Sequence, residues 1–141
     1  MPKARIFISH RHGRDYADDY YKLVKRLDEH GYNYSDYSVP KHDRLDVEAK
    51  RKITAALREQ VRQCNFFIIF VTRAVGNSEW CMKELKAAKE FEKYRLGIKP
   101  WNYQGGVPPE IRQYIPDGEI ISFNIATVIQ RIQLRELLDD W

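Results

Sequence analysis

Residues 66–71, FFIIFV, decide the fold. An alternating strand buries one face, but here every position is apolar, so both faces need cover. The run is shorter than an ordinary helix and made of residue types that favour strands. It is therefore read as the buried middle strand of a parallel sheet. Parallel neighbours need crossovers, and helical spacing occurs on each side of the run. Before it, Ile53, Leu57, Val61 and Cys64 share one face of a helix over about 47–63. After it, a helix runs from Ser78 to about Lys93, with Asn77 and Ser78 as N-cap candidates and Cys81 and Leu85 facing the core.

Farther out the alternation continues. ARIFIS (4–9) reads as the first strand. A helix from Arg14 to His30 carries Tyr16, Tyr20, Leu23, Val24 and Leu27 at helical spacing, with Gly31 as its stop. YNYS (32–35) is a short strand, and DYSVPKHDRLD (36–46), with Pro40 and many charges, an exposed loop. LGIKP (96–100) is a strand, followed by a turn-rich loop (101–110), a short helix near 108–115 and a last strand, EIISFN (119–124). Ile125, Val128, Ile129 and Ile132 begin a terminal helix. The pattern predicts an α/β fold: a flavodoxin-like five-stranded parallel sheet with helices on both faces. No repeat or linker interrupts it, so residues 1–141 are read as a single domain.

The composition, 43% hydrophobic and 31% charged, is that of a globular chain. The longest apolar run is too short to span a bilayer, and MPKARIFISH lacks the long apolar stretch of a secretory signal, so a cytoplasmic protein without a membrane partner is expected. Cys64 and Cys81 read as buried small hydrophobes. His10, His12, His30 and His42 show no zinc-like spacing with them, so no metal is expected. The net charge of +4 comes from 24 basic residues interleaved with 20 acidic ones, as in DDYYKLVKRLDEH (18–30). Such interleaving makes solvated helix faces rather than a nucleic-acid patch. The tail LRELLDDW (134–141) is expected to pack over a sheet edge.

Sheets of this kind place ligands at the carboxyl ends of their strands, here just after Ser9, Ser35, Val71 and Pro100. SHRHGRD (9–15) and VTRAVGN (71–77) lack the paired acids and the acceptor aspartate of a phosphorylated receiver domain. No GxxxxGK[ST] or GxGxxG is present. Trp80 and Glu84 lie four residues apart in the helix after FFIIFV, on one face. The row 80, 84, 87, 91 reads Trp, Glu, Ala, Phe, so a carboxylate interrupts an apolar stripe. The pattern leaves two readings open: a glutamate that snorkels to solvent, or a functional carboxylate favoured by the helix N-terminus and paired with Arg11.

FISHRHGRD (7–15) resembles the first box of Toll/interleukin-1-receptor (TIR) domains, and SEWCMKEL (78–85) resembles that family's W-C-x-x-E-L segment. With FFIIFV and GIKPW in order between and after them, the resemblance spans nearly the whole chain. YSDYSVP, NSEW, GIKPW and IISFN are similar to the bacterial TIR-like branch, above all the TIR proteins of the Thoeris anti-phage defence system. The loop at 36–46 lacks the Arg-Asp-x-x-Pro-Gly pattern of animal receptor domains, and SFN replaces Phe-Trp in the last strand.

The resemblance implies an NAD-consuming enzyme that cleaves the nicotinamide–ribose bond and makes a cyclic ADP-ribose-type signal. Glu84 would be the catalytic glutamate. Ser9, His10, Arg11 and Trp80 would line the substrate site, with Asp36 and Tyr37 as neighbours and Asp36 a candidate second acid. NAD+ would be a substrate, with no cofactor. The implied partners are a homo-oligomer on activation, a phage-derived trigger, and a downstream effector reached through the diffusible nucleotide. A non-catalytic TIR scaffold and a nucleotide sensor without turnover are the alternatives. Of the tyrosines, only Tyr37 is expected near the pocket.

Overall fold

The five strands are β1 (Ala4–Ser9), β2 (Tyr34–Asp36), β3 (Phe66–Phe70), β4 (Tyr94–Lys99) and β5 (Ile120–Ser122). In the computed structural model, which describes residues 4–10, 17–38, 47–101 and 103–138, they form one sheet in the order β2-β1-β3-β4-β5. All four pairings are parallel, as a doubly wound flavodoxin-like sheet requires.

β3 sits in the middle with all five side chains buried, and the Phe7 and Phe67 rings stack at 5.5 Å between β1 and β3. Each such side chain contributes roughly 1.5–3 kcal/mol by leaving water.

The helices are α1 (Ala17–Glu29), α2 (Val47–Gln63), α3 (Arg73–Gly76), α4 (Glu79–Glu90), α5 (Pro109–Arg112) and α6 (Ile125–Leu138). Right-handed crossovers put α1, on the step from β1 out to β2, on one face, and α2 and α4, on the steps the other way, on the opposite face. The packing agrees: α1 meets α6, and α2 meets α4. The four longer helices bury most of their expected stripes: Leu23 and Leu27 of α1, Leu57 and Val61 of α2 with Cys64 just beyond, Cys81 and Leu85 of α4, and Val128 and Ile132 of α6. Tyr20, Val24, Ile53 and Ile129 are half-buried, and Tyr16 lies outside the described residues. Both cysteines are buried, as expected of small hydrophobes.

α1 stops at Gly31, whose φ of 63° belongs to the left-handed region. There the Tyr32 amide reaches back to the Leu27 carbonyl at 3.0 Å, closing the helix end.

Three features depart from expectation. β2 runs to Asp36, so Asp36 closes the strand instead of following it. VTRAVGN holds a separate single-turn helix, α3, because the Thr72 hydroxyl accepts from the Val75 amide at 3.1 Å. Asn77 therefore ends α3, and Ser78 alone caps α4. Finally, the expected packing of the tail is corrected: Leu137 and Leu138 of α6 face solvent, Leu137 with 86% of its surface exposed. The helical spacing carries these leucines past the sheet, whose neighbouring edge strand β5 is only three residues long. Among the described residues no helix is long and apolar enough to cross a membrane.

Candidate active site

From β1 the chain steps outward to β2, then crosses back to β3 and continues to β4 and β5. The crossovers diverge between β1 and β3, and in sheets of this kind that divergence marks where ligands bind, at the carboxyl ends of the strands. Ser9, the last residue of β1, pairs there with Ile69 of β3. α3 carries the chain away from β3, and α4 then returns along the sheet face with Trp80, Cys81, Glu84 and Leu85 turned inward.

The Ser9 hydroxyl donates to Glu84 Oε1 at 2.7 Å, a well-formed hydrogen bond. Glu84 is 1% exposed, so the snorkelling glutamate is excluded. Glu84 is the sixth residue of α4, beyond the first turn where a helix end stabilises an anion. The strand end, rather than the helix terminus, supplies a fixed donor to the carboxylate.

Trp80, one turn earlier on α4, is buried, and the Lys83 ammonium lies over its ring at 4.8 Å. Lys83 is held in turn by Glu79 at 3.2 Å.

His10 follows Ser9 and is buried, its ring stacked on that of Tyr20 at 4.4 Å and 21°. The Tyr20 hydroxyl donates to the Asp36 carboxylate. Burial first, and then this bond to an anion, push the Tyr20 phenol above its ordinary value. Asp36 also accepts from the Ser38 amide at 2.9 Å, and the Ser38 hydroxyl accepts from the Ile8 amide at 2.9 Å. The ends of β1, β2 and α1 are thus laced together.

The structure brings Ser9 and Glu84 into direct contact, sets His10 beside Ser9, and places Trp80 on the same helix. Asp36 pairs with Ile6, three residues short of Ser9, or about 10 Å lower along the sheet. Tyr20 links it to His10. Tyr37 is tied to the Ile6 carbonyl by its amide at 2.7 Å and packs its ring against the core. Arg11 lies outside the described residues. Tyr20, read from sequence as a helix-face residue, is the neighbour of His10 that the sequence missed. Its position in the α1 stripe was visible, but nothing local marked Asp36, 16 residues on, as its partner. Among the described residues no group of three or more His, Cys, Asp or Glu is arranged to hold a metal ion.

Several solved structures resemble this fold, two of them as follows. A 2-deoxyribosyltransferase from Bacillus psychrosaccharolyticus is 12% identical with a TM-score of 0.64, covering 89% of this chain and 90% of that one. A CMP N-glycosidase of Clostridium botulinum is 14% identical with a TM-score of 0.54, covering 92% of this chain and 98% of that one. At such identities the likeness is one of fold. No curated protein matches the chain. The TIR domain profile matches residues 6–136, from β1 into α6 and taking in both Ser9 and Glu84, and the chain belongs to the TIR domain family.

Proposed function

We propose that the protein is an NAD-cleaving enzyme that breaks the nicotinamide–ribose bond at Glu84. The observation that carries this reading is the buried Glu84 carboxylate held by the Ser9 hydroxyl at the carboxyl end of β1. A carboxylate in an apolar helix stripe serves folding poorly, because its desolvation is costly. It serves well where positive charge develops. As the C1′–N bond breaks, its electron pair leaves with nicotinamide and the ribose takes on oxocarbenium character. A fixed anion stabilises that charge and accepts from the ribose hydroxyls. Ser9 orients the carboxylate, and Trp80 and His10 wall the ribose and nicotinamide. Arg11, Asp36 and Tyr37 remain candidate binding residues.

The fold neighbours support glycosidic chemistry by name, one as a 2-deoxyribosyltransferase and the other as a CMP N-glycosidase. Excluding water would let an atom of the same nucleotide capture the ribosyl cation, giving a cyclic ADP-ribose-type product. Following the sequence resemblance, we place the enzyme in Thoeris-type anti-phage defence: a phage-derived trigger, self-association on activation, and an effector switched by the product.

Incubation of wild type and Glu84→Gln with NAD, alone and with phage lysate, followed by chromatography and mass analysis, tests the reading. Nicotinamide release by wild type only is expected, whereas NAD left intact in every sample would sink it. A second reading, a scaffold that signals by self-association, is favoured by the exposed Leu134, Leu137 and Leu138 of α6. A scaffold would keep its signalling with Glu84→Gln, whereas an enzyme would lose it.

A further inference from the structure

A second concave site lies on the other side of the sheet, between α1 and the carboxyl ends of β4 and β5. It is a groove of about 380 Å³, within the range of small-ligand sites. Pro100, directly after β4, and Phe123, directly after β5, contribute apolar lining, and Trp101 forms a wall. Trp101 exposes 76% of its surface. Folding gains little from an indole left in water, though tryptophan has among the largest apolar areas of any side chain. Opposite it α1 presents Lys22, Lys25 and Arg26, all exposed. The Lys22 ammonium already lies over the Trp101 ring at 5.9 Å. Two carboxylates share the groove, Asp19 and Glu29, and Glu29 approaches Arg26 at 4.0 Å. The three cations outnumber them.

An exposed planar ring beside a cluster of cations, at strand ends, matches a ligand with a flat aromatic part and a separate anionic part. We propose that this groove binds a nucleotide, its base stacked on Trp101 and its phosphates held by Lys22, Lys25 and Arg26. The site is separate from Glu84. α1 and α4 cover opposite faces, and β4 lies two strands from β1, about 10 Å across the sheet. The inference does not rest on the reaction proposed for Glu84. A chain with no NAD-cleaving activity would still bind here.

Titration of the full chain with ADP, followed by tryptophan fluorescence and calorimetry, tests this. Saturable binding is expected, weakening with added salt. Trp101→Ala and Lys22→Glu should each weaken it about ten-fold or more, while Trp101→Phe retains most of it. Adenosine and inorganic phosphate should each bind about ten-fold more weakly than ADP, since each carries half of the recognised chemistry. Both substituted side chains are exposed, and an unchanged thermal midpoint will show that the variants fold. Any of these results would overturn the proposal: no saturable ADP binding, ADP binding indifferent to Trp101→Ala, or ADP binding abolished by Ser9→Ala. The last would place the nucleotide at Glu84 instead. Binding of an acidic peptide that displaces ADP equally well with Trp101→Ala would also overturn it, by reducing the groove to a charged surface.

Discussion

The Ser9 hydroxyl and the Glu84 carboxylate meet at 2.7 Å inside the protein, joining the end of β1 to the middle of α4 across 75 residues of chain. Removing the donor leaves a buried carboxylate oxygen without that bond, which costs about 1–3 kcal/mol. Ser9→Ala should lower the unfolding midpoint accordingly and cut NAD cleavage. Glu84→Gln removes the charge while an amide oxygen still accepts from Ser9. It should unfold near the wild-type temperature yet lose activity by about 10²–10³ or more. Denaturant melts and initial rates on the same preparations check both, and a fully active Glu84→Gln would remove the carboxylate from the chemistry.

Tyr20 makes two separable contacts. Tyr20→Phe deletes the bond to Asp36 and keeps the ring against His10, so a loss of about 1 kcal/mol is expected. Tyr20→Ala deletes both and should cost about 3 kcal/mol or more, with KM rising as His10 loses its support. Equal costs for the two variants would show that the stack contributes nothing.

Glu92, just past α4, adopts φ 55°, a left-handed conformation that non-glycine residues adopt at a cost of about 1–2 kcal/mol. It stays there because the Lys93 amide closes the helix end on the Ala88 carbonyl at 2.8 Å. Glu92→Gly should therefore stabilise the protein by about 0.5–1 kcal/mol in a thermal melt, after the loss to glycine's unfolded-state entropy.

A Cβ on Gly76 would lie 2.8 Å from Cβ of Pro108, whereas one on Gly106 would meet nothing within 4 Å. Gly76→Ala should cost about 1–3 kcal/mol and Gly106→Ala little, by urea titration of the two side by side.

Burial pushes the Cys64 thiol up from 9.0 to about 11. The folded protein holds it neutral while the unfolded chain ionises it, so its contribution is complete below pH 9 and is lost as pH rises toward 11. Relative to Cys64→Ala, wild type should lose roughly 2 kcal/mol over that window, read as a difference in urea midpoints. Parallel pH profiles would show that the thiol is not held neutral.

The sheet was legible in the sequence because FFIIFV admits only one environment, and the helices flanking it repeat their apolar stripes cleanly. Glu84 was legible as a break in such a stripe. That it is buried was not, because burial depends on the Ser9 hydroxyl, which the sheet brings to it from another part of the chain. Tyr20 and Asp36 were missed as partners for the same reason. α3 escaped notice because one hydroxyl cap and a single turn leave no periodicity to detect.

That turn also fixes length. The amide of Asn77 bonds the Arg73 carbonyl, that of Ser78 bonds Val75, and that of Cys81 bonds the Ser78 hydroxyl, so no slack separates Thr72 from Cys81. Each residue of a helix rotates the next side chain by about 100°, and an insertion or deletion at 79–83 would swing Glu84 away from Ser9. Gly105 and Gly106, in the loop before Pro108, are exposed and lie outside any helix, so although the Tyr103 hydroxyl donates to the Gly106 carbonyl at 2.8 Å, an added residue there rotates no side chain of α4. Natural length variation among relatives should therefore gather around 104–106 and spare 72–84, so that gaps in a structural alignment reveal the frame that holds Glu84 against Ser9 before any residue is compared.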